Sequence, residues 1–144
     1  MFTKDEMKGI MMFATPVIQT GKDEKLKVGY YTRVSVVLRG ENNFIQAVMR
    51  TLKQYEIPCE VKLKESKARP KPILTIKGRN HLRKLLNDFI LTDNGVILSS
   101  HGKWYNFALI CDLVEKRQHL TDYGFMQIVN LISTNTNDGV IKND

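Results

Sequence analysis

The chain has 144 residues, of which 42% are hydrophobic and 26% charged. That balance fits one globular domain with its own core and excludes a disordered or collagen-like chain. The formal net charge is +7, a surplus that favours polyanions, nucleic acid ahead of anionic membrane.

No apolar run approaches the ~20 residues that a membrane helix needs, and the opening MFTKDEMKG lacks the charged-then-apolar layout of a secretory leader. No membrane partner is expected. Cys59 and Cys111 stand far apart among apolar residues, and His81, His101 and His119 form no pattern with them. Without CxxC or HxxxH spacing, neither a metal nor a cofactor is expected. The cysteines read as buried free thiols, which suits a reducing compartment. The wealth of Lys, Asn and Ile suits an AT-rich genome, organellar or phage, and a mitochondrial setting is the expectation.

In chain order, Thr3 and Glu6 make a capping box that opens a helix running to Phe13 or Ala14, where Pro16 stops it. Residues 15–22 predict a short strand and residues 21–27 a hairpin turn. Residues 29–39 (GYYTRVSVVLR) alternate, with Thr32, Val34, Val36 and Leu38 on one face and Tyr31, Arg33, Ser35, Val37 and Arg39 on the other. Residues 42–56 place Phe44, Ile45, Val48, Met49, Leu52 and Tyr55 at helical spacing. Residues 59–64 and 73–77 predict a second hairpin around the basic turn KESKARPKP, followed by a helix over 80–90. Residues 91–101 show no period. Residues 103–117 predict a helix, in which Trp104, Tyr105 and Phe107 are expected to pack in the core and Lys103 and Lys116 to lie on a solvated face. Thr121 caps a last helix that buries Phe125, Ile128, Val129 and Ile132.

Helix and strand do not alternate one for one, so a doubly wound parallel sheet is not expected. The pattern predicts an α+β fold: two hairpins in one antiparallel sheet, helices on one face and extra helices at the C-terminal end. One domain over 1–132 and a flexible polar tail over 133–144 follow.

The open sheet face is the candidate binding surface. Tyr31, Arg33, Ser35 and Arg39 share it on the long strand; Arg can take guanine bidentately and Tyr can stack on an unpaired base. Residues 60–79 carry Lys62, Lys64, Lys67, Arg69, Lys71, Lys77 and Arg79 against Glu60 and Glu65, a net +5 within the chain's +7. Such a cluster neutralises phosphates and releases counterions.

Three stretches add a family likeness. FTKDEMKGI at 2–10 matches the start of a signature helix, with Gly9 as its first glycine. KPILTIKG at 71–78, followed by LRKLL at 82–86, matches a fourth strand and its helix. HLTDYGF at 119–125 with IVNL at 128–131 matches a C-terminal helix entry. Occurring in this order over nearly the whole chain, they resemble one unit of the LAGLIDADG homing-endonuclease family. The resemblance implies the αββαββα unit and a basic sheet lying along nucleic acid. It also implies DNA cleavage by Mg²⁺ held on acidic residues at the foot of paired signature helices. With Gly9 as first glycine, the metal-binding acid falls at Ala14, the glycine after it at Thr15 and an earlier acid at Met12. No Asp or Glu lies between Glu6 and Asp23. Lys77 matches the basic residue that the family places near the scissile phosphate, and Leu38 or Arg39 its polar residue at the end of the second strand. Phe13 stands where a small residue is usual, which opposes the close helix contact of a homodimer.

The expectation is a nucleic-acid-binding protein without catalysis, taking structured RNA ahead of DNA. Such a protein is maturase-like, or a structural component of an organellar ribosome or other ribonucleoprotein with further proteins around it. The alternatives are a DNA-cleaving homing endonuclease and a non-cleaving DNA-binding regulator.

Overall fold

The computed structural model describes residues 1–91, 102–134 and 140–143. Helix α1 spans Lys4–Met11 and opens on the expected capping box: the Thr3 hydroxyl accepts from the Glu6 amide at 3.1 Å, and the Glu6 carboxylate accepts from the Thr3 amide at 2.9 Å. That backbone bond holds the Glu6 carboxyl below the usual carboxylate range. Strands β1 (Thr15–Lys22) and β2 (Tyr30–Arg39) form an antiparallel hairpin. Its turn closes with the Asp23 amide donating to the Gly29 carbonyl, Gly29 taking a φ of +83° that favours glycine.

Helix α2 covers Asn42–Gln54 and buries Ile45, Val48 and Leu52. Its fully buried Thr51 hydroxyl donates to the Ala47 carbonyl and accepts from the Phe2 amide, tying the start of the chain to α2. Strands β3 (Glu60–Lys62) and β4 (Ile73–Lys77) pair antiparallel, and β4 pairs with β2. Helix α3 (Arg79–Leu85) runs into a π-turn over Leu86–Ile90. Helix α4 spans Gly102–Glu115, a 3₁₀ turn covers Gln118–Leu120, and α5 spans Asp122–Thr134.

The sheet order is β3-β4-β2-β1-β5, with β5 at Val140–Asn143. Its inner face (Ile18, Val34, Val36, Leu38, Leu74 and Ile76) joins one core with Met7 and Met11 of α1, Val48 and Leu52 of α2, Leu82 and Leu85 of α3, and Trp104, Phe107 and Ile110 of α4. Period-2 alternation on the strands against 3.6-residue periodicity on the helices produces this one-sided burial.

Several expectations shift. The second hairpin's first strand, expected over 59–64, is only three residues long, because Leu63 and Lys64 leave the sheet and are exposed. Tyr105 leaves the core stripe of α4 at 59% exposed, while Trp104 and Phe107 are fully buried. Within the expected tail, Ser133 and Thr134 complete α5, and β5 (Val140–Asn143) pairs in parallel with β1. The sheet is thus four antiparallel strands with a parallel edge that hydropathy did not announce. The aperiodic stretch 92–101, including His101, and residues 135–139 and 144 of the tail lie outside the described residues. No described helix is long and apolar enough to cross a membrane.

Thr121 caps α5, accepting from the Gly124 amide at 3.0 Å and donating to the Gln118 carbonyl at 2.8 Å. A Cβ on Gly124 would stand 1.9 Å from that carbonyl oxygen. Gly124→Ala is therefore expected to push the 3₁₀ turn off α5 and lower stability by about 1–3 kcal/mol. Thermal unfolding followed by circular dichroism reads this as a Tm drop of several degrees; an unchanged Tm would mean that the turn yields freely.

Candidate nucleic-acid interface

Strand register builds the outer face of the sheet rung by rung. Ser35 stands between Lys77 of β4 and Val17 of β1; Val37 between Thr75 and Thr15; Arg39 beside Ile73, with Lys62 beyond it on β3. Arg33 lies opposite Gln19, and Tyr31 opposite Gly21. Tyr31, Arg33, Ser35, Arg39, Lys62 and Lys77 thus share one surface, as alternation requires. Lys64, Lys67, Arg69 and Lys71 lie on the exposed β3–β4 connection, and Arg79 opens α3, also exposed.

Sharing a face does not make these groups equally available. Arg39 is held by Glu65 in a bidentate pair, Nε at 2.6 Å and Nη2 at 2.9 Å. The hydrogen bond to Glu65 raises its guanidinium pKa further, so Arg39 pins the hairpin connection to β2 before it serves any ligand. Lys71 pairs with Glu41 at 3.4 Å and Lys77 with Glu60 at 3.1 Å. Both pairs are solvent-exposed and contribute about 0–1 kcal/mol, so an incoming phosphate can compete for either lysine. Among the described residues no ion pair engages Lys62, Lys64, Lys67 or Arg79, which leaves them the readiest cations of the hairpin and the α3 start.

Tyr31 is also engaged. The space that a Cβ on Gly21 would fill holds the Tyr31 ring, 2.4 Å from that position. The ring covers the glycine across the strand pair, a device that stiffens a weak rung. The Arg33 guanidinium lies over the same ring at 4.4 Å from its centroid. Tyr31 and Arg33 therefore form one stacked unit, with Arg33 as its exposed cap.

The foot of α1 holds the main residue that the sequence did not reveal. Lys103, expected on a solvated face, sends its ammonium to the Met12 carbonyl at 3.0 Å and the Ala14 carbonyl at 3.1 Å. The charge complements the carbonyl end of the helix. Ala14 is fully buried there and offers no side-chain oxygen. Glu6 is committed to the cap at the opposite end of α1, and Asp23 lies in the β1–β2 turn. An alanine beside a fixed ammonium does not fit a divalent cation, which needs anionic oxygen ligands. Among the described residues no group of three His, Cys, Asp or Glu could hold a metal ion. Lys77, matched by likeness to a position near a scissile phosphate, stands on β4 opposite Ser35, so the cation at the helix foot is Lys103.

The outward side of α1 is bare. Nothing lies within 4 Å of a Cβ position on Gly9, and Phe13 is 84% exposed. With Phe2, Ile10 and Phe44 they line an apolar groove of about 580 Å³. The thiols are chemically quiet: burial pushes Cys59 up to about 11 and Cys111 up to about 12. Cys111 is buried as expected, and Cys59 is half-buried.

Two charge-assisted bonds make Lys103 a support for the α1–β1 junction. Lys103→Met is expected to lower unfolding stability by about 1.5–3 kcal/mol in urea titration, with the slope unchanged. Wild-type stability in that variant would mean that the ammonium contributes nothing.

No family model matches the sequence, and no curated protein matches it. Solved structures match its fold. The homing endonuclease I-TnaI superposes with a TM-score of 0.76 at 20% identity, over 94% of this chain and 90% of that one. The LAGLIDADG homing endonuclease I-LtrWI, bound to target DNA, gives 0.77 at 15% identity over 96% of this chain and 46% of its own. I-SmaMI, a LAGLIDADG homing endonuclease bound to cleaved DNA, gives 0.76 at 17% identity over 96% and 45%. The chain thus spans nearly all of I-TnaI and less than half of the other two. Its architecture is that of one LAGLIDADG homing-endonuclease unit.

Proposed function

We propose that this chain binds nucleic acid across the outer face of its sheet and does not cleave it. The observation that carries the reading is the pairing of an exposed basic hairpin with a helix foot that cannot take a metal. Lys62, Lys64, Lys67 and Arg69 project from the β3–β4 hairpin, while Ala14, which the family resemblance sets at the metal-binding acid, has no side-chain oxygen and gives its carbonyl to the Lys103 ammonium. Binding would be driven by phosphate neutralisation, with Arg33 and Ser35 at the centre of the sheet in position to meet base edges.

Structured RNA is the favoured target. Without a metal-binding acid, and with Phe13 on the α1 face, the chain lacks what paired cleavage of duplex DNA demands. An RNA-binding role, as a maturase-like protein or a structural subunit of an organellar ribonucleoprotein, needs only the basic surface. A second reading, a non-cleaving DNA binder, draws on the DNA held by I-LtrWI and I-SmaMI.

Fluorescence anisotropy with a labelled RNA stem-loop and a DNA duplex of the same sequence, across a salt series, tests both. Wild type is expected to prefer the RNA. The triple variant Lys62→Glu, Lys64→Glu, Arg69→Glu is expected to flatten the salt dependence of binding by about 0.7–0.9 in logarithmic slope for each phosphate that the hairpin ceases to neutralise. Supercoiled plasmid should stay intact with Mg²⁺. Nicking that chelation abolishes would contradict the non-catalytic reading; an unchanged slope in the triple variant would remove the hairpin from the interface.

A further inference from the structure

Strand β4 stops at Lys77, opposite Ser35. Residues 32–34 of β2 extend past it and, among the described residues, have no strand on that side. An open cleft of about 690 Å³ lies at this step, walled by β2, by the corner at residues 77–79 and by the junction of α4 with the 3₁₀ turn. Arg33, Lys77, Arg79, His81 and His119 line it, and among the described residues no Asp or Glu does. Lys77 keeps its exposed pair with Glu60 at 3.1 Å.

Among the described residues, two buried polar atoms of this cleft's lining residues have no hydrogen-bond partner: the hydroxyl oxygen of Thr32, whose residue is 8% exposed, and Nδ1 of His119. Buried polar atoms left unsatisfied are few in folded proteins, and two on one cleft point to a site that something else completes. Burial, then the charges of Arg79 and Arg117, pushes the His119 imidazole below the usual histidine range. The His81 ring is fixed by a 3.1 Å contact between Nδ1 and the Lys77 carbonyl. The volume lies within the range of about 300–1,000 Å³ of small-molecule pockets and exceeds what a lone phosphate fills.

We propose that this cleft takes one unpaired nucleotide of the bound strand, its phosphate held by Arg79, Arg33 and Lys77 and its base set against the open edge of β2 between the imidazoles. The inference deepens the nucleic-acid reading and rests on it. Acid-free cationic lining selects a phosphate. The backbone N–H and C=O groups of an open strand edge match the donors and acceptors of a base edge, and imidazole rings offer stacking surfaces. A duplex laid along the outer face would then present a bulged nucleotide at the step where β4 ends.

The test uses the full chain with two RNA stem-loops, one fully paired and one with a single bulged nucleotide. Wild type should bind the bulged RNA about tenfold tighter. His119→Gln should remove most of that preference and leave affinity for the paired RNA within about twofold, the precision of such a comparison, whereas Arg79→Ala should weaken the bulged RNA more than the paired one. Thr32→Val, which replaces the orphan hydroxyl with a group of similar shape, should weaken the preference in a folded protein. AMP should shift the His119 imidazole resonances, and adenosine or inorganic phosphate should shift them far less. Equal affinity for both RNAs, with paired binding intact, overturns the cleft assignment alone. A full resonance shift with inorganic phosphate overturns the nucleotide in favour of a bare anion. Failure to bind either RNA overturns the underlying nucleic-acid reading as well.

Discussion

The alternation of β2 is the constraint on which the rest of the structure depends. This strand sits at the centre of the antiparallel sheet, paired with β1 on one side and β4 on the other. Burying Val34, Val36 and Leu38 against the helices obliges Arg33, Ser35 and Val37 to face outward. A slip of one residue would reverse both faces, putting Arg33 into the core and breaking the rung on which Tyr31 covers Gly21. The core and the candidate interface are therefore two sides of one register, and a change that loosens one moves the other.

Charge on that outer face is organised by a few fixed contacts. Arg39 is spent largely on Glu65, so it shapes the hairpin that carries Lys64, Lys67 and Arg69. Arg33 rests on Tyr31 and needs little reordering to meet a ligand, which lowers the entropic cost of using it. At the helix foot, the Lys103 ammonium donates to the carbonyls of Met12 and Ala14. The junction of α1 and β1 is thereby held by a side chain of the protein itself.

How much of this was legible in the sequence follows from range. The capping box at Thr3 and Glu6, the two faces of β2, the α2 stripe and the Thr121 cap are local patterns, and the structure forms each of them. The segments that resemble the LAGLIDADG unit led to the right fold although identity to the solved structures named above is 20% or below. What the sequence hid is long-range. Lys103 reaches Ala14 across 89 positions, and Glu65 reaches Arg39 across 26. A lysine opening a helix reads as solvated until a neighbouring helix end is placed beside it. The parallel pairing of β5 and the short β3 depend on edge contacts that hydropathy does not encode. The cleft at the end of β4 arises from unequal strand lengths, which no local pattern specifies.

The most direct measurement is to purify the native protein from its source and test the nucleic acid that comes with it for RNase and DNase sensitivity. RNase-sensitive material is expected, with retention that falls as salt rises and that disappears when Lys62, Lys64 and Arg69 are reversed in charge. DNase-sensitive material alone would contradict the preference for RNA. A protein that carries no nucleic acid, and whose partners survive the charge reversal, would contradict nucleic-acid binding altogether.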